Sequence, residues 1–260
     1  MHPLPIIRTM SKNPPRLFVD TELGPDTAID LDGNPAHYLR DVMRLGTGDD
    51  VRVFNGRDGE WRASVLELGR RSVTLNAIEQ TRPQPPSAGP RLVFAPVKKT
   101  GTTFIIEKAT ELGAARLSPV ITEFTDRARL KTERLQAIAI EAAEQCGRLS
   151  VPIIDAPRPL ADFLAQWDTD APLIIADESG GGGPVLDVLA GLPALTAGSQ
   201  TAPAFVIGPQ GGFSKSELVD MRQLSNVIGV DLGPRILRAE TAAIAVLTCW
   251  QACRGDWQDD

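Results

Sequence analysis

Apolar and polar positions change rhythm about a third of the way along the chain. Up to residue 78 the apolar residues come in short runs rich in β-branched and aromatic types, at 16–19, 50–54, 60–68 and 72–78. Such runs are the signature of strands. Asn55-Gly56 and Asp58-Gly59 punctuate them as turns. One helical stretch, 35–44, interrupts the series, with Leu39, Val42 and Met43 on one side. The pattern predicts a small β-barrel with a helical insert. Residues 77–90 then read AIEQTRPQPPSAGP, with four prolines and no apolar period, as a semi-extended connection does. The predicted organisation is a β domain over 1–78, a linker over 79–90 and a second domain over 91–260.

Beyond the linker, strand-like and helix-like stretches alternate. Apolar runs at 91–95, 116–121, 173–176, 204–207 and 227–232 read as buried strands. Helical patterns occupy 102–112, stopped by Gly113, and 132–146, stopped by Gly147. A third, 214–224, opens with Ser214 and carries Glu217 three residues on, a capping box. The last runs over 240–253. Alternation of this kind predicts an α/β domain whose parallel sheet is covered on both faces. The glycines at 180–183 read as a flexible loop.

Two glycine-rich turns stand out within this domain. Ile207-Gly208-Pro209-Gln210-Gly211-Gly212-Phe213-Ser214 and Leu232-Gly233-Pro234-Arg235-Ile236-Leu237-Arg238-Ala239-Glu240-Thr241 each follow a buried run and lead into a helix. One positive-φ turn explains one glycine; three glycines and a proline in five positions suggest backbone brought close to a flat ligand. Ligands of parallel sheets sit beyond the carboxyl ends of strands, so two such turns at neighbouring strand ends predict one pocket. Neither turn has the Gly-Lys-Ser/Thr ending of a phosphate loop or the three-glycine spacing of a dinucleotide site.

Composition narrows the chemistry. The net charge of −6 argues against a nucleic-acid partner, but its distribution does not. Residues 1–99 carry 14 Lys/Arg against 12 Asp/Glu, whereas residues 100–260 carry 13 against 21. The more basic first third permits a phosphate-binding patch. No apolar run approaches the roughly 20 residues of a membrane span. The first ten residues lack a secretory pattern, so the cytoplasm is the expected location. Three cysteines without regular spacing fit reduced thiols. With only His2 and His37 in the chain, neither a nucleophilic triad nor a metal centre is expected.

Several charged residues carry two readings. Arg238 lies just before the last helix, where the dipole disfavours a cation, so it is expected to have a carboxylate, phosphate or substrate oxygen as partner. Glu141, Glu144, Gln145 and Arg148 fall on one helix side, either a solvated face or a site, and Glu107, Lys108 and Glu111 share that ambiguity. The cluster Arg127-Ala128-Arg129-Leu130-Lys131-Thr132-Glu133-Arg134 is either a solvated loop or a phosphate contact.

These motifs together resemble the RsmE family of small-subunit ribosomal RNA uridine N3-methyltransferases, of the SPOUT class. The resemblance rests on His37-Tyr38-Leu39-Arg40-Asp41-Val42-Met43-Arg44-Leu45, the Phe54-Asn55-Gly56 turn, Ile106-Glu107-Lys108-Ala109-Thr110-Glu111-Leu112-Gly113, Glu144-Gln145-Cys146-Gly147-Arg148 and the two glycine-rich turns. It implies an N-terminal PUA-like RNA-binding β-barrel and a C-terminal SPOUT α/β domain with a trefoil knot. It further implies a homodimer that binds S-adenosyl-L-methionine and methylates uracil N3 of 16S ribosomal RNA on the small subunit. The implied cofactor residues are Ile207, Gly208, Pro209, Gly211, Gly212, Leu232, Gly233, Ile236, Leu237, Ala239 and Thr241. Arg238 is then the residue that stabilises uracil or its phosphate, with Glu144 or Glu111 assisting deprotonation. Arg40, Arg44, Arg127, Arg129 and Arg148 are the implied RNA contacts. Gln210 departs from the glutamate usual in the family and cannot serve as a base. The rival readings are a non-catalytic RNA-binding or ribosome-assembly factor and a SPOUT enzyme acting on transfer RNA.

Overall fold

The computed structural model describes residues 14–86, 89–125, 130–167, 171–176, 180–192 and 202–258. The chain divides into two compact units, Met1–Pro86 with Gly147–Ser150, and Ser87–Cys146 with Val151–Asp260.

The first unit is built on β1 (Arg16–Phe18), β2 (Ala28–Asp32), β3 (Asp50–Phe54), β4 (Glu60–Leu68) and β5 (Ser72–Arg82). They form one sheet in the order β1-β3-β4-β5-β2, with β1 parallel to β3 and the other pairs antiparallel. Alternation places Ile29, Leu31, Val51, Val53, Val73 and Leu75 in one apolar core. Register shifts between β4 and β5 bend the sheet around that core. The apolar runs at 16–19, 50–54, 60–68 and 72–78 are all strands here. β2 escaped the reading because Asp30 and Asp32 interrupt it, although its Ile29/Leu31 alternation is a strand signal. β5 also runs past 78 to Arg82, because Glu79 and Arg82 still pair with Arg62 and Glu60 of β4. The prolines interrupt the chain only from Pro83 onward.

The helical insert differs from its expected phase. α1 (Gly33–His37) passes into a π-helical turn, Tyr38–Val42, in which the Met43 amide donates to the Tyr38 carbonyl at 2.9 Å. The i→i+5 bond stretches the period. Leu39 stays fully buried, but Val42 and Met43 rotate outward and are exposed.

The second unit holds β6 (Arg91–Phe94), α2 (Lys99–Glu111), β7 (Arg116–Ile121), α3 (Thr132–Cys146), β8 (Ile153–Ile154), β9 (Arg158–Pro159) and α4 (Leu160–Ala165). It continues with β10 (Leu173–Ala176), β11 (Gly183–Pro184), α5 (Val185–Gly191), β12 (Ala204–Ile207), α6 (Lys215–Arg222), β13 (Val227–Asp231) and α7 (Ala239–Arg254). Its sheet is parallel throughout, in the order β11-β13-β10-β12-β6-β7-β8, with β9 beside β7. Side chains of α2, α3, α5 and α7 form the core on one face, and those of α4 and α6 the core on the other. The expected α/β sandwich is therefore present. Residues 180–183 are more constrained than a flexible loop: a Cβ on Gly182 would lie 2.4 Å from the Val230 carbonyl carbon, and Gly183 begins a strand that pairs with β13.

At the amino ends of β6 and β7 the first residues, Arg91 and Arg116, are register partners. Both bind Asp155: Arg91 Nη2 at 2.5 Å and Arg116 Nη2 at 2.6 Å, with the Ser118 hydroxyl donating to the same carboxylate. The Arg91 guanidinium also lies over the Phe163 ring, 5.1 Å from its centroid. Burial raises the Asp155 carboxyl pKa, but hydrogen bonds from Arg116, Ser118 and Arg91 outweigh it and bring the value down to about 2.

Candidate active site

A cavity of about 590 Å³ opens at the carboxyl ends of β10, β12 and β13, within the size range of small-molecule sites. Both glycine-rich turns line it, as expected, but their strands are not neighbours. β10 runs between β12 and β13, and its last residue, Ala176, contributes to the wall. A small residue at that strand end leaves the volume open.

The glycines of the first turn have reasons within the protein itself. A Cβ on Gly208 would sit 3.0 Å from the Phe213 ring, so the glycine lets that ring fold back against the turn. A Cβ on Gly211 would lie 3.4 Å from that of Phe124. Gly212 adopts φ +71°, which a side chain disfavours, and its amide closes the turn on the Pro209 carbonyl at 2.9 Å. In the second turn Gly233 has φ +102°, and its amide donates to Asp231 Oδ1 at 2.8 Å. The inference from glycine number to a closely approaching ligand is thus replaced by turn geometry. The inference to a shared pocket holds.

Of the cofactor candidates, Ile207, Gly208, Pro209, Gly212, Leu232, Gly233, Ile236, Leu237 and Ala239 line the cavity. Gly211 turns toward Phe124 instead, and Thr241 is exposed on the first turn of α7. Gln210 also lines it, as do Phe213, Asp231 and Arg235, which were not named as site residues. Asp231 carries a signal, being a charged residue at the end of a buried strand. Phe213 carries only its place beside Gly212.

Arg238 lines the cavity as the N-cap residue of α7. Its guanidinium is exposed and forms no ion pair or hydrogen bond with a described residue. A cation so placed against the positive end of a helix has no partner among the described residues to account for it. Glu240, two residues on, lies against the first turn of α2, where a Cβ on Gly101 would meet its Oε1 at 2.3 Å. An acidic group there complements the α2 dipole.

The two carboxylates named for deprotonation lie elsewhere. Glu111 on α2 accepts from Lys108 Nζ at 2.8 Å, and the same ammonium reaches Glu107. The hydrogen bonds that the ammonium donates to these two carboxylates raise the Lys108 pKa. Glu144 is half-buried on α3. Neither lines the cavity.

Among the RNA candidates, Arg40 is engaged internally. Its Nη2 meets Asp41 Oδ2 at 2.6 Å and its Nη1 donates to the Arg70 carbonyl of the β4–β5 turn. The Arg40 hydrogen bond, with help from His37, lowers the Asp41 carboxyl pKa to about 2 despite some desolvation. Arg44 is exposed, with φ +55°. Arg148 Nε donates to Ser150 Oγ at 3.0 Å. Arg127 and Arg129 lie outside the described residues. Among the described residues no group of three His, Cys, Asp or Glu could hold a metal ion, and no helix is long and apolar enough to cross a membrane.

Comparison with known proteins fits this geometry. The family described as "RNA methyltransferase domain" matches residues 87–251, and "RNA methyltransferase PUA domain" matches 31–78. Ribosomal RNA small subunit methyltransferase E of Rickettsia conorii is 30% identical over 233 residues, covering 89% of this chain and 93% of that protein. The Bacillus subtilis protein of the same name is 30% identical, covering 84% and 87%. A methyltransferase of Legionella pneumophila, solved with bound SAM, superposes with a TM-score of 0.80 at 26% identity, covering 92% of this chain and 98% of that one.

Proposed function

Because the chain belongs to the ribosomal RNA small subunit methyltransferase E family, we propose that it methylates N3 of a uracil in 16S ribosomal RNA from S-adenosyl-L-methionine. The second unit is the SPOUT-type α/β methyltransferase domain and the first the PUA-like domain. The reading includes the trefoil knot of the SPOUT class, formed by the part of the chain that carries the two turns. The single observation that carries the assignment of the site is the cavity at three strand ends with the unpaired Arg238 in its wall.

The cavity fits the cofactor in size and in kind. Its walls alternate apolar side chains, such as Ile207, Leu232 and Leu237, with turn backbone that offers amides and carbonyls. Apolar surface can take an adenine ring and backbone groups can specify its edge. When bound, S-adenosylmethionine supplies an electrophilic methyl group on a sulfonium. The chain's own residues must then hold the base in line and favour its N3 anion. Arg238 is placed for that second task, because a guanidinium stabilises the oxygens of a deprotonated uracil. Glu111 and Glu144 lie outside the cavity, so proton loss rests in this reading on stabilising the anion, with solvent accepting the proton. Gln210 orients through its amide and takes no proton.

Arg44 and the basic cluster at 127–134 supply phosphate contacts that fix the RNA without reading its sequence. A homodimer belongs to the same proposal: Ile236, at the cavity, is 86% exposed, an apolar side chain placed where a second subunit can cover it. The setting is the cytoplasm, where small subunits mature.

The test is to incubate the protein and S-adenosylmethionine with small ribosomal subunits, naked 16S RNA and transfer RNA, and to map the methylated nucleoside by mass spectrometry. The reading predicts N3-methyluridine in 16S RNA, made best on the subunit. Methylation confined to transfer RNA, or none with any substrate, overturns it.

A further inference from the structure

Glu217 makes more hydrogen bonds than its capping box requires. In the ordinary box the glutamate side chain returns to the N-cap amide and leaves its second oxygen to solvent. Here Oε2 accepts from the Ser214 amide at 2.8 Å, and the Ser214 hydroxyl accepts from the Glu217 amide at 3.3 Å. Oε1 accepts at 2.8 Å from the amide of Glu123, 94 residues away in the chain. Glu123 belongs to the 122–125 turn that follows β7.

That turn is well made. The Thr125 hydroxyl accepts from the Thr122 amide at 2.8 Å, the Thr125 amide returns to the Thr122 carbonyl at 3.2 Å, and both threonines are buried. Its tip, Phe124, packs beside Gly211 of the first glycine-rich turn. One carboxylate therefore joins the end of the loop that lines the cavity to a separate rigid turn. A carboxylate suits the place, because both oxygens face N–H groups and the first turn of α6 favours a negative charge.

We propose that Glu217 is a positioning residue for the cofactor site, clamping the 208–214 loop against the 122–125 turn so that the cavity wall is held in its binding shape. The proposal rests on reading the cavity as the S-adenosylmethionine site. Helix capping alone would be served equally well by glutamine, whose single oxygen satisfies the Ser214 amide. The clamp would not, because the glutamine NH₂ group would then face the Glu123 amide, donor against donor.

Glu217→Gln and Glu217→Ala in the full chain separate the two roles. Calorimetry with S-adenosylmethionine, thermal unfolding, and hydrogen exchange at the Glu123 amide are measured for each. The clamp predicts that Glu217→Gln keeps the wild-type unfolding midpoint within about 2 °C, loses protection at Glu123, and binds cofactor about tenfold more weakly. Glu217→Ala shows the same affinity loss with a lowered midpoint, from the missing cap. Wild-type affinity and wild-type exchange in Glu217→Gln would overturn the proposal and leave a simple cap. If the wild-type protein bound no S-adenosylmethionine, the assignment of the cavity would fail, while exchange at Glu123 would still decide whether the clamp exists.

Discussion

At the amino ends of β6 and β7, Arg91 and Arg116 share Asp155 and bond to its two oxygens, and Arg91 also packs on the Phe163 ring. At the carboxyl ends of β12 and β13, Arg235 and Arg238 line a cavity and have no carboxylate partner among the described residues. The two ends of one sheet thus hold the same residue type in opposite circumstances. Where every guanidinium is matched by an internal carboxylate, the charge serves the fold. Where it is unmatched beside a cavity, it is available to a ligand, in keeping with ligand sites lying at the carboxyl ends of parallel strands.

The largest effect that can break this comparison is on turnover. Arg238→Ala should lower single-turnover methylation by about 100-fold or more, the scale of losing a group that stabilises transition-state charge. Cofactor affinity should stay within about threefold. Equal turnover in mutant and wild type would place Arg238 outside the mechanism.

At the other end the effect should fall on stability. Asp155→Ala leaves Arg91 mostly buried without its counterion, a loss of about 3 kcal/mol, read as a lower midpoint in thermal or urea unfolding. Methylation measured well below the midpoint should not change. The acid limb of stability sharpens the point. The folded-state Asp155 pKa is depressed to about 2, so its contribution is complete above its unfolded value near 4 and is lost as pH falls through 2. Unfolding free energy should decline by about 2 kcal/mol over that window in the wild type, and by less in Asp155→Asn.

The smallest effect concerns the first unit, where the same contrast recurs between a matched and an unmatched arginine. Arg44→Ala should reduce the salt-dependence slope of RNA binding by about one, the signature of one lost phosphate contact. Arg40, tied to Asp41 and the β4–β5 turn, should change the slope by clearly less. A full unit for Arg40 would mean that it leaves Asp41 to meet phosphate.

Much of this was legible in the sequence where local rules act alone. The Ser214/Glu217 box, the Gly113 and Gly147 stops, and the apolar runs of β6, β7, β10, β12 and β13 depend on nearest neighbours, and they stand in the structure. What escaped depends on residues far apart in sequence. β10 lies between the strands of the two turns, and the reach of Glu217 to Glu123 joins elements with no local sign of each other. The π-helical turn at Tyr38 changes the period, so Val42 and Met43, which the pattern puts on one side with Leu39, are exposed while Leu39 is buried. In the candidate site the glycines signalled the right place for a different reason, turn geometry and packing against Phe213 and Phe124.

The contrast between the two sheet ends is tested most directly by one calorimetric titration of S-adenosylmethionine into wild-type, Ala242→Leu and Asp155→Asn proteins. Ala242 lines the cavity on α7, and the leucine side chain fills part of it. The account predicts that wild type and Asp155→Asn bind alike, while Ala242→Leu binds at least about tenfold more weakly. Equal binding by Ala242→Leu and wild type, or a loss of binding in folded Asp155→Asn, would contradict it.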